Sequence, residues 1–159
     1  MILVAVGGHT APFDRLIQRM DVIAQELDED VFMQIGSATV TPKHSAYRRF
    51  MARDEFGMKQ AEARVVVSHA GIGILLECAR LSKPTLFIPR LRRYREASDD
   101  HQLEMCVEMS RAGALTYLVD TSSLSRDKID GAAPPRLPNH QRRPGERVLR
   151  FLRDEDGGN

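Results

Sequence analysis

The feature that most constrains the fold is an alternation of short apolar runs with longer amphipathic stretches over the first 119 residues. Runs rich in Val, Ile and Leu predict strands at 2–6, 31–35, 65–67, 85–88 and 115–119, and a short third strand is expected at 47–51. The stretches between them place apolar residues three and four apart, which is typical of one helix face. Continuous apolar runs indicate strands covered on both sides. We therefore expect an α/β fold, a Rossmann-like open, mostly parallel sheet with helices on both faces.

The length of 159 residues fits one domain with a tail. We expect a ligand-binding domain over residues 1–120, a Pro-rich linker over 121–144 and a basic C-terminal helix with a tail over 145–159. The 23 Lys and Arg residues nearly balance the 22 Asp and Glu residues, for a net charge of +1. Such a balance excludes the global positive field of a nucleic-acid-binding protein, so no nucleic-acid partner is expected.

The sequence lacks the signals of a membrane span or signal peptide, of reactive or metal-binding cysteines and of a metal site. No apolar run approaches the roughly 20 residues that span a bilayer, and the first strand lacks the basic segment of a signal peptide, so we expect a soluble intracellular protein. The two cysteines, Cys78 and Cys106, fall in helical stretches and are expected to be buried thiols. The acidic runs at 28–30 and 154–156 lie away from the expected site, and the histidines are dispersed, so no metal is expected.

Open parallel sheets bind ligands at the carboxyl ends of their strands, where three loops stand out. The first loop begins with Gly7, Gly8 and His9. Its small residues allow a ligand or a second subunit to approach the backbone, although a tight strand-to-helix turn would need the same glycines. Strand two ends at Ile35 and Gly36 without an acidic residue, and no G-x-G-x-x-G pattern is present, so a nicotinamide dehydrogenase is not expected.

The second loop, residues 68–73, joins a buried strand to a helix. Its glycines at 71 and 73 leave N–H groups at the helix start free to face an anion, which the helix dipole also favours. A phosphate or diphosphate is the expected occupant. Glu77 follows about one turn later and is suited to accept both hydroxyls of a ribose. His69 is either a ligand contact or a packed polar residue.

The third segment leads from Pro89 into a helix that begins with Asp100, His101 and Gln102. Side chains of these types fix sugar hydroxyls by hydrogen bonds, although a capped helix start has the same composition. Arg90 opens an arginine-rich stretch that continues to residue 95. These arginines would meet phosphates, an anionic sugar or the acidic groups of a partner; the alternative is a solvated basic loop.

Four motifs, taken in order, resemble a known family. They read V-S-H-A-G-I-G-I-L-L-E over residues 67–77, K-P at 83–84, I-P-R at 88–90 and D-D-H-Q-L-E at 99–104. Together they resemble the C-terminal, donor-binding half of family-28-type glycosyltransferases. The stretch V-G-G-H-T-A-P-F-D-R-L over residues 6–16 looks like the small bacterial exopolysaccharide subunits of this group. Those subunits are similar to the cytosolic catalytic subunit of the dolichol-linked N-acetylglucosaminyltransferase.

The resemblance implies the C-terminal half of a GT-B fold, with a UDP-sugar donor bound between two Rossmann-like halves, inversion at the anomeric carbon and no cofactor or essential metal. Gly71, Ile72 and Gly73 would hold the diphosphate through backbone N–H groups, and Glu77 would hold the ribose. The remaining residues that the resemblance assigns to the nucleotide sugar are Gly7, Gly8, Ser68, His69, Arg90, Asp100, His101 and Gln102. His9, at the acceptor side of the cleft, is the candidate catalytic base.

The chain holds only one such half, so the resemblance also implies a separate partner. That partner would be a membrane-anchored subunit that brings a lipid-linked acceptor, and it would keep this cytoplasmic chain at the inner face of the membrane. The implied reaction moves a sugar from a UDP-sugar to that acceptor in polysaccharide or glycolipid synthesis. Two other classes stay open: a non-catalytic UDP-sugar-binding subunit that stabilises the partner, and one half of an epimerase-like enzyme.

Overall fold

The computed structural model describes residues 1–137, which form a six-stranded sheet with every strand pairing parallel. The order across the sheet is β3-β2-β1-β4-β5-β6. The strands are β1 (Ile2–Ala5), β2 (Val31–Gln34), β3 (Ala46–Arg48), β4 (Val65–His69), β5 (Thr85–Ile88) and β6 (Thr116–Tyr117). The predicted open parallel sheet is confirmed. Each of the six predicted strands is present, with β3 and β6 shorter than predicted.

Helices cover both faces of the sheet, as predicted. They are α1 (Asp14–Gln25), α2 (Arg53–Glu62), α3 (Ile72–Arg80), α4 (His101–Arg111) and α5 (Arg126–Asp130). Alternate residues of β1 point to opposite faces. Val4 packs with α1 and α5, whereas Leu3 packs with α2 and α3. On the face of Leu3, α4 packs beside α3 around Phe87.

The strand order creates a crevice at the centre of the sheet. From β1 the chain moves outward in one direction to β2 and β3, and from β4 it moves outward in the other direction to β5 and β6. The loops that leave β1 and β4 therefore diverge at their carboxyl ends. This is the switch point at which doubly wound sheets bind their ligands.

The C-terminal boundary of the domain differs from the linker predicted to start at residue 121. A 3-10 turn, Thr121–Ser123, and helix α5 follow β6 and pack on α1. Leu124 and Ile129 are buried there, and Ala133 forms a bridge with Thr85 of β5. These apolar side chains are five residues apart among polar neighbours, so their contribution to the core is inconspicuous in the sequence. The rest of the predicted linker and the basic helix, residues 138–159, lie outside the described residues.

Both cysteines are buried free thiols, as predicted. Burial raises the pKa of Cys106 to about 12 and also raises the pKa of Cys78, so both stay protonated at neutral pH. Within residues 1–137, no helix has the length and apolar character needed to cross a membrane.

Candidate functional site

The switch point holds an open cleft of about 900 Å³ at the carboxyl ends of β1, β2 and β4, with α2 and α3 on its walls. Five residues singled out from the sequence line it together: Gly7, Gly8, His69, Gly73 and Glu77. They come from two loops that lie more than 60 residues apart in the chain. The structure thus brings the first two predicted loops to one place.

The first turn of α3 supplies one wall of the cleft through Gly73 and Ile74, whereas the predicted contacts Gly71 and Ile72 do not line it. Gly71 is the residue before the helix and has no side chain to cap it, and Ile72 is the first helical residue. The first backbone bond of the helix joins the Leu75 N–H to the Gly71 carbonyl at 3.1 Å. The N–H groups of residues 72–74 precede that bond, as at any uncapped helix start. Their partial positive charge makes this wall suited to an anion.

His69 packs between the glycines of the two loops. A Cβ atom at Gly7 would lie 2.6 Å from the His69 ring, and a Cβ atom at Gly71 would overlap its Nε2 atom. Gly7 also has a φ of +75°, a conformation that other residues rarely adopt. Any residue with a side chain at Gly7 or Gly71 would therefore collide with the ring of His69, which forms part of the cleft floor.

The surroundings of His69 keep its ring neutral. Burial, with a smaller contribution from the positive charge of Arg90, lowers the pKa of His69 to about 4. The Nδ1 atom lies 3.3 Å from Ser68 Oγ and 3.4 Å from the carbonyl oxygen of Ala5. Ser68 itself is buried and donates to the same carbonyl at 2.8 Å, so it supports the ring from behind and does not line the cleft.

Glu77 lies on the cleft wall one turn beyond the start of α3. Its side chain is 40% exposed, so it does not point into the protein interior. Arg80 donates to both carboxylate oxygens, at 2.6 and 3.2 Å, and this interaction lowers the pKa of Glu77. An ionised carboxylate that lines the cleft can accept hydroxyl hydrogen bonds from a ligand through the lone pairs that Arg80 does not use.

Gln34 is a cleft residue that the sequence analysis did not identify. It ends β2, is 5% exposed and lines the cleft. Its Oε1 atom accepts the Gly7 N–H at 2.9 Å, while its Nε2 atom donates to the carbonyls of Gly7 at 3.1 Å and Arg49 at 2.9 Å. The side chain fixes the first glycine loop in place. The available signal was a polar residue within an apolar strand.

The wall opposite α3 was also missed, because helix α2 is only weakly amphipathic in sequence. The apolar surface of this wall comes from Phe56 and Met58 of α2 and from Phe50 and Met51, which precede the helix. Phe50 and Met58 are 59% and 61% exposed, which is unusual for side chains of this size. The cleft thus has one polar wall built of backbone groups and one apolar wall.

Arg90 does not occupy the position expected of a ligand contact. The residue is 1% exposed, and its guanidinium donates to the carbonyls of Val6 at 2.8 Å and Ala11 at 3.0 Å. It also donates to the carbonyls of Pro12 and Glu96. A buried guanidinium needs such acceptors, and the turn after β1 supplies them. Arg90 therefore supports the first glycine loop from below instead of facing the cleft.

The predicted trio at the start of α4 lies apart from the cleft. Gln102 accepts the Arg90 N–H at 3.0 Å, and Asp100 accepts the Arg92 N–H at 2.9 Å. His101 is exposed, with ring nitrogens 3.5 Å from carboxylate oxygens of Asp99 and Glu104. None of the trio lines the cleft. Asp100 and Gln102 brace the loop between β5 and α4.

His9 is exposed beside the two glycines of the first loop. Its Nδ1 atom accepts the Ala11 N–H at 3.0 Å, which in the neutral ring leaves the proton on Nε2. In this arrangement His9 presents a hydrogen-bond donor, and its lone pair is engaged. For metal ions, residues 1–137 contain no group of three or more His, Cys, Asp or Glu side chains arranged to hold one.

Sequence comparison identifies the family of this domain. The model of the glycosyltransferase family 28 C-terminal domain matches residues 1–132. The UDP-N-acetylglucosamine transferase subunit ALG13 of Yarrowia lipolytica is 27% identical over 139 residues, which cover 78% of this chain and 67% of that protein. The mouse protein of the same name is 28% identical over 127 residues, covering 72% of this chain and 10% of the mouse protein.

Solved structures show the same fold. The solution NMR structure of ALG13 has a TM-score of 0.58 and 16% identity, and the match covers 93% of each chain. MurG of Acinetobacter baumannii has a TM-score of 0.51 and 18% identity, with 80% of this chain covering 38% of MurG. The glycosyltransferase SnogD of Streptomyces nogalater matches over 33% of its length. The chain thus spans little more than a third of these two bacterial proteins.

Proposed function

The chain belongs to the family of glycosyltransferase family 28 C-terminal domains, and we propose that it is the donor-binding and catalytic subunit of a two-component inverting glycosyltransferase. Its donor would be a UDP-sugar and its acceptor a lipid-linked sugar or lipid in polysaccharide or glycolipid synthesis. The observation that carries this proposal is the cleft wall in which an uncapped helix start is followed, one turn later, by an ionised carboxylate.

The spacing on α3 suits a nucleoside diphosphate. From Ile72 to Glu77 the helix rises about 7.5 Å, at 1.5 Å per residue. In the proposed complex, the N–H groups of residues 72–74 bind the diphosphate and the carboxylate of Glu77 accepts the two ribose hydroxyls. The hydroxyls would replace water around Glu77, while Arg80 keeps the carboxylate ionised and oriented.

The apolar wall gives the base a place to bind. Phe50, Met51 and Phe56 offer flat or flexible apolar surface across the cleft from Gly73 and Glu77. A pyrimidine ring is planar and uncharged, and stacking against such surface removes apolar area from water. These surfaces support a site for all three parts of UDP: base, ribose and diphosphate.

The proposed reaction needs a stabilised leaving group and a base. The acceptor hydroxyl oxygen attacks the anomeric carbon on the face opposite the diphosphate, and the bond from that carbon to the phosphate oxygen breaks with its electron pair going to UDP. Fixed N–H dipoles at the start of α3 stabilise the charge that develops on the diphosphate. The proton of the hydroxyl passes to a base, which is His9 after its ring turns away from Ala11, or a group of the partner.

A partner subunit is part of this proposal. The relatives from Yarrowia lipolytica and mouse are named as subunits of a UDP-N-acetylglucosamine transferase. We propose that this chain likewise works with a second subunit, which is anchored in the membrane and presents the lipid-linked acceptor at the cytoplasmic face. The second candidate function is a non-catalytic UDP-sugar-binding subunit. The engaged lone pair of His9 favours it, because His9 cannot accept a proton in this arrangement.

A transfer assay distinguishes the two functions. Membranes that contain the partner are incubated with labelled UDP-N-acetylglucosamine, with and without the purified chain, and lipid-bound label is counted. A donor-binding catalytic subunit predicts transfer only when both components are present and a loss of transfer with Glu77→Gln. If membranes alone transfer the label, or if Glu77→Gln transfers as well as the wild type, the catalytic assignment is wrong.

A further inference from the structure

Helix α2 carries a glycine near its centre that the fold itself does not need. Gly57 is the fifth of the ten residues of α2 and its φ is not positive, so no unusual backbone conformation requires a glycine there. A Cβ atom at Gly57 would meet no atom of residues 1–137 within 4 Å, apart from its own neighbours in the chain and the helix. Glycine is less stable than alanine in the interior of a helix. Gly57 therefore lowers the stability of α2 for a reason that lies outside the packing of these residues.

Gly57 belongs to the face of α2 that lines the cleft. Arg53, Gly57 and Ala61 follow one another at intervals of four residues, which places them on one side of the helix, and all three line the cleft. On the facing wall, Gly73 of α3 lines the cleft as well, and a Cβ atom there would also meet nothing within 4 Å in this part of the chain. Each wall thus has a glycine where a side chain would narrow the space between the helices. We call the space between this face of α2 and the first two turns of α3 the α2–α3 slot.

Side chains of the two helices close the α2–α3 slot below and at one end. Phe56 of α2 and Ile74 of α3 line the cleft and pack in one apolar cluster against β1 and β4, so they form the floor. In the last turns of the two helices, Gln60 Nε2 donates to Cys78 Sγ at 3.1 Å and closes the far end. The slot therefore opens toward the start of α3.

We propose that the nucleoside part of the donor enters the α2–α3 slot and lies against the backbone of Gly57, which sets the width available to it. This inference rests on the proposed function, which places the diphosphate at the start of α3 and the ribose at Glu77. A nucleoside that follows α3 from the diphosphate to Glu77 passes along the slot, because Glu77 lines the same cleft as Gly57. A helix position without a side chain lets a ligand approach the backbone closely. Gly57 is thus a residue that determines which ligands fit.

Two graded variants of the full-length chain test this inference by calorimetric titration with UDP. Gly57→Ala should lower the UDP affinity about 10-fold and Gly57→Val about 100-fold, because the added methyl groups take up volume that the nucleoside needs. Gly57→Ala should at the same time raise the midpoint of urea unfolding, since alanine is the better helix former. A glycine with a purely structural role would not combine weaker binding with higher stability. The matched control is Gly131→Ala, which adds the same methyl group at the end of α5, outside the cleft, and should leave the UDP affinity unchanged.

Inorganic pyrophosphate shows which part of the donor lies at Gly57. It has no nucleoside, so its binding, followed through the NMR amide signals of residues 72–74, should be the same in Gly57→Val and in the wild type. The inference is overturned if both variants bind UDP as tightly as the wild type, if Gly57→Ala lowers the unfolding midpoint, or if pyrophosphate and UDP lose affinity equally. A wild type that binds neither ligand would refute the proposed function itself, and this inference with it.

Discussion

Two regions at the carboxyl edge of the sheet carry polar residues of similar types, yet these residues make different interactions. In the cleft between β1 and β4, the uncapped first turn of α3 and the carboxylate of Glu77 line open space. In the segment from β5 to α4, the side chains of Arg90, Asp100 and Gln102 are bonded to the protein's own backbone. Glycines expose the backbone to a ligand, whereas polar side chains that are buried or lie along a loop form hydrogen bonds with the protein's own backbone.

The largest expected effect concerns Arg90. Arg90→Met leaves the carbonyls of Val6 and Ala11 buried without their donor, and each such loss costs about 1 kcal/mol or more. We expect the free energy of unfolding in urea to fall by about 3 kcal/mol. Arg92→Met, at an exposed position two residues along, should change it by less than about 0.5 kcal/mol. Loss of UDP binding by Arg90→Met at unchanged stability would instead make Arg90 a ligand contact.

The second prediction is that the free energy of unfolding depends on pH because the ring of His69 is neutral in the folded protein. Burial lowers the pKa of His69 to about 4, against 6.5 in the unfolded chain. Between these values the unfolded chain binds a proton that the folded chain does not, so stability is highest above pH 6.5 and falls as the pH drops to about 4. We expect a loss of at most about 3 kcal/mol from this group, measured by urea unfolding across the pH range.

His69→Gln should remove that part of the pH dependence, whatever its effect on stability at neutral pH. His44→Gln, at an exposed histidine, is the matched control and should retain it. An unchanged slope between pH 6.5 and 4 in His69→Gln would show that the ring titrates normally and that the cleft floor is more open to water than described.

The third prediction separates binding from stability in the cleft. Glu77→Gln keeps the shape of the side chain but removes the charge that accepts the ribose hydroxyls. We expect the affinity for UDP, measured by titration calorimetry, to fall about 10- to 100-fold, as for hydrogen bonds to a charged group. The control Glu104→Gln removes an exposed carboxylate on α4 and should not change it. Equal UDP affinity of the wild type and Glu77→Gln would end the ribose assignment.

The smallest effect on UDP binding is expected in the region between β5 and α4. His101 lies on α4 outside the cleft, so His101→Ala should change UDP affinity by less than about twofold. A larger change in the turnover of a UDP-sugar, at unchanged UDP affinity, would place His101 at the sugar and not at the nucleotide. A tenfold loss of UDP affinity would contradict the division between the two regions.

The sequence was sufficient to predict the sheet and one wall of the site. Apolar runs such as 2–6 and 65–67 predict buried strands because nothing else buries so many β-branched residues, and the helix start at Gly71 follows from the strand before it. The pairing of His69 with Gly7 could not be predicted, because it depends on how two distant loops meet. The opposite wall could not be predicted either, since α2 is mostly polar and contributes through a few side chains such as Phe56.

Charged side chains were the least predictable from sequence. Arg90 stands in a run of arginines, and nothing in that run distinguishes the one that is buried from those that are exposed. Only the fold shows that the turn after β1 presents several carbonyls to it. The same holds for Gln34, whose amide matches the N–H and C=O of Gly7 only when β1 and β2 are adjacent.

The central claim is that the N–H groups at the start of α3 bind a diphosphate. Its most direct test is an NMR titration of the ¹⁵N-labelled chain, in which the amide signals of residues 72–74 are followed as UDP or uridine is added. The account predicts that UDP shifts these three signals more than others and that uridine, which lacks phosphate, leaves them nearly unchanged. If UDP binds while these amides do not respond, the diphosphate lies elsewhere and the proposed donor site is wrong.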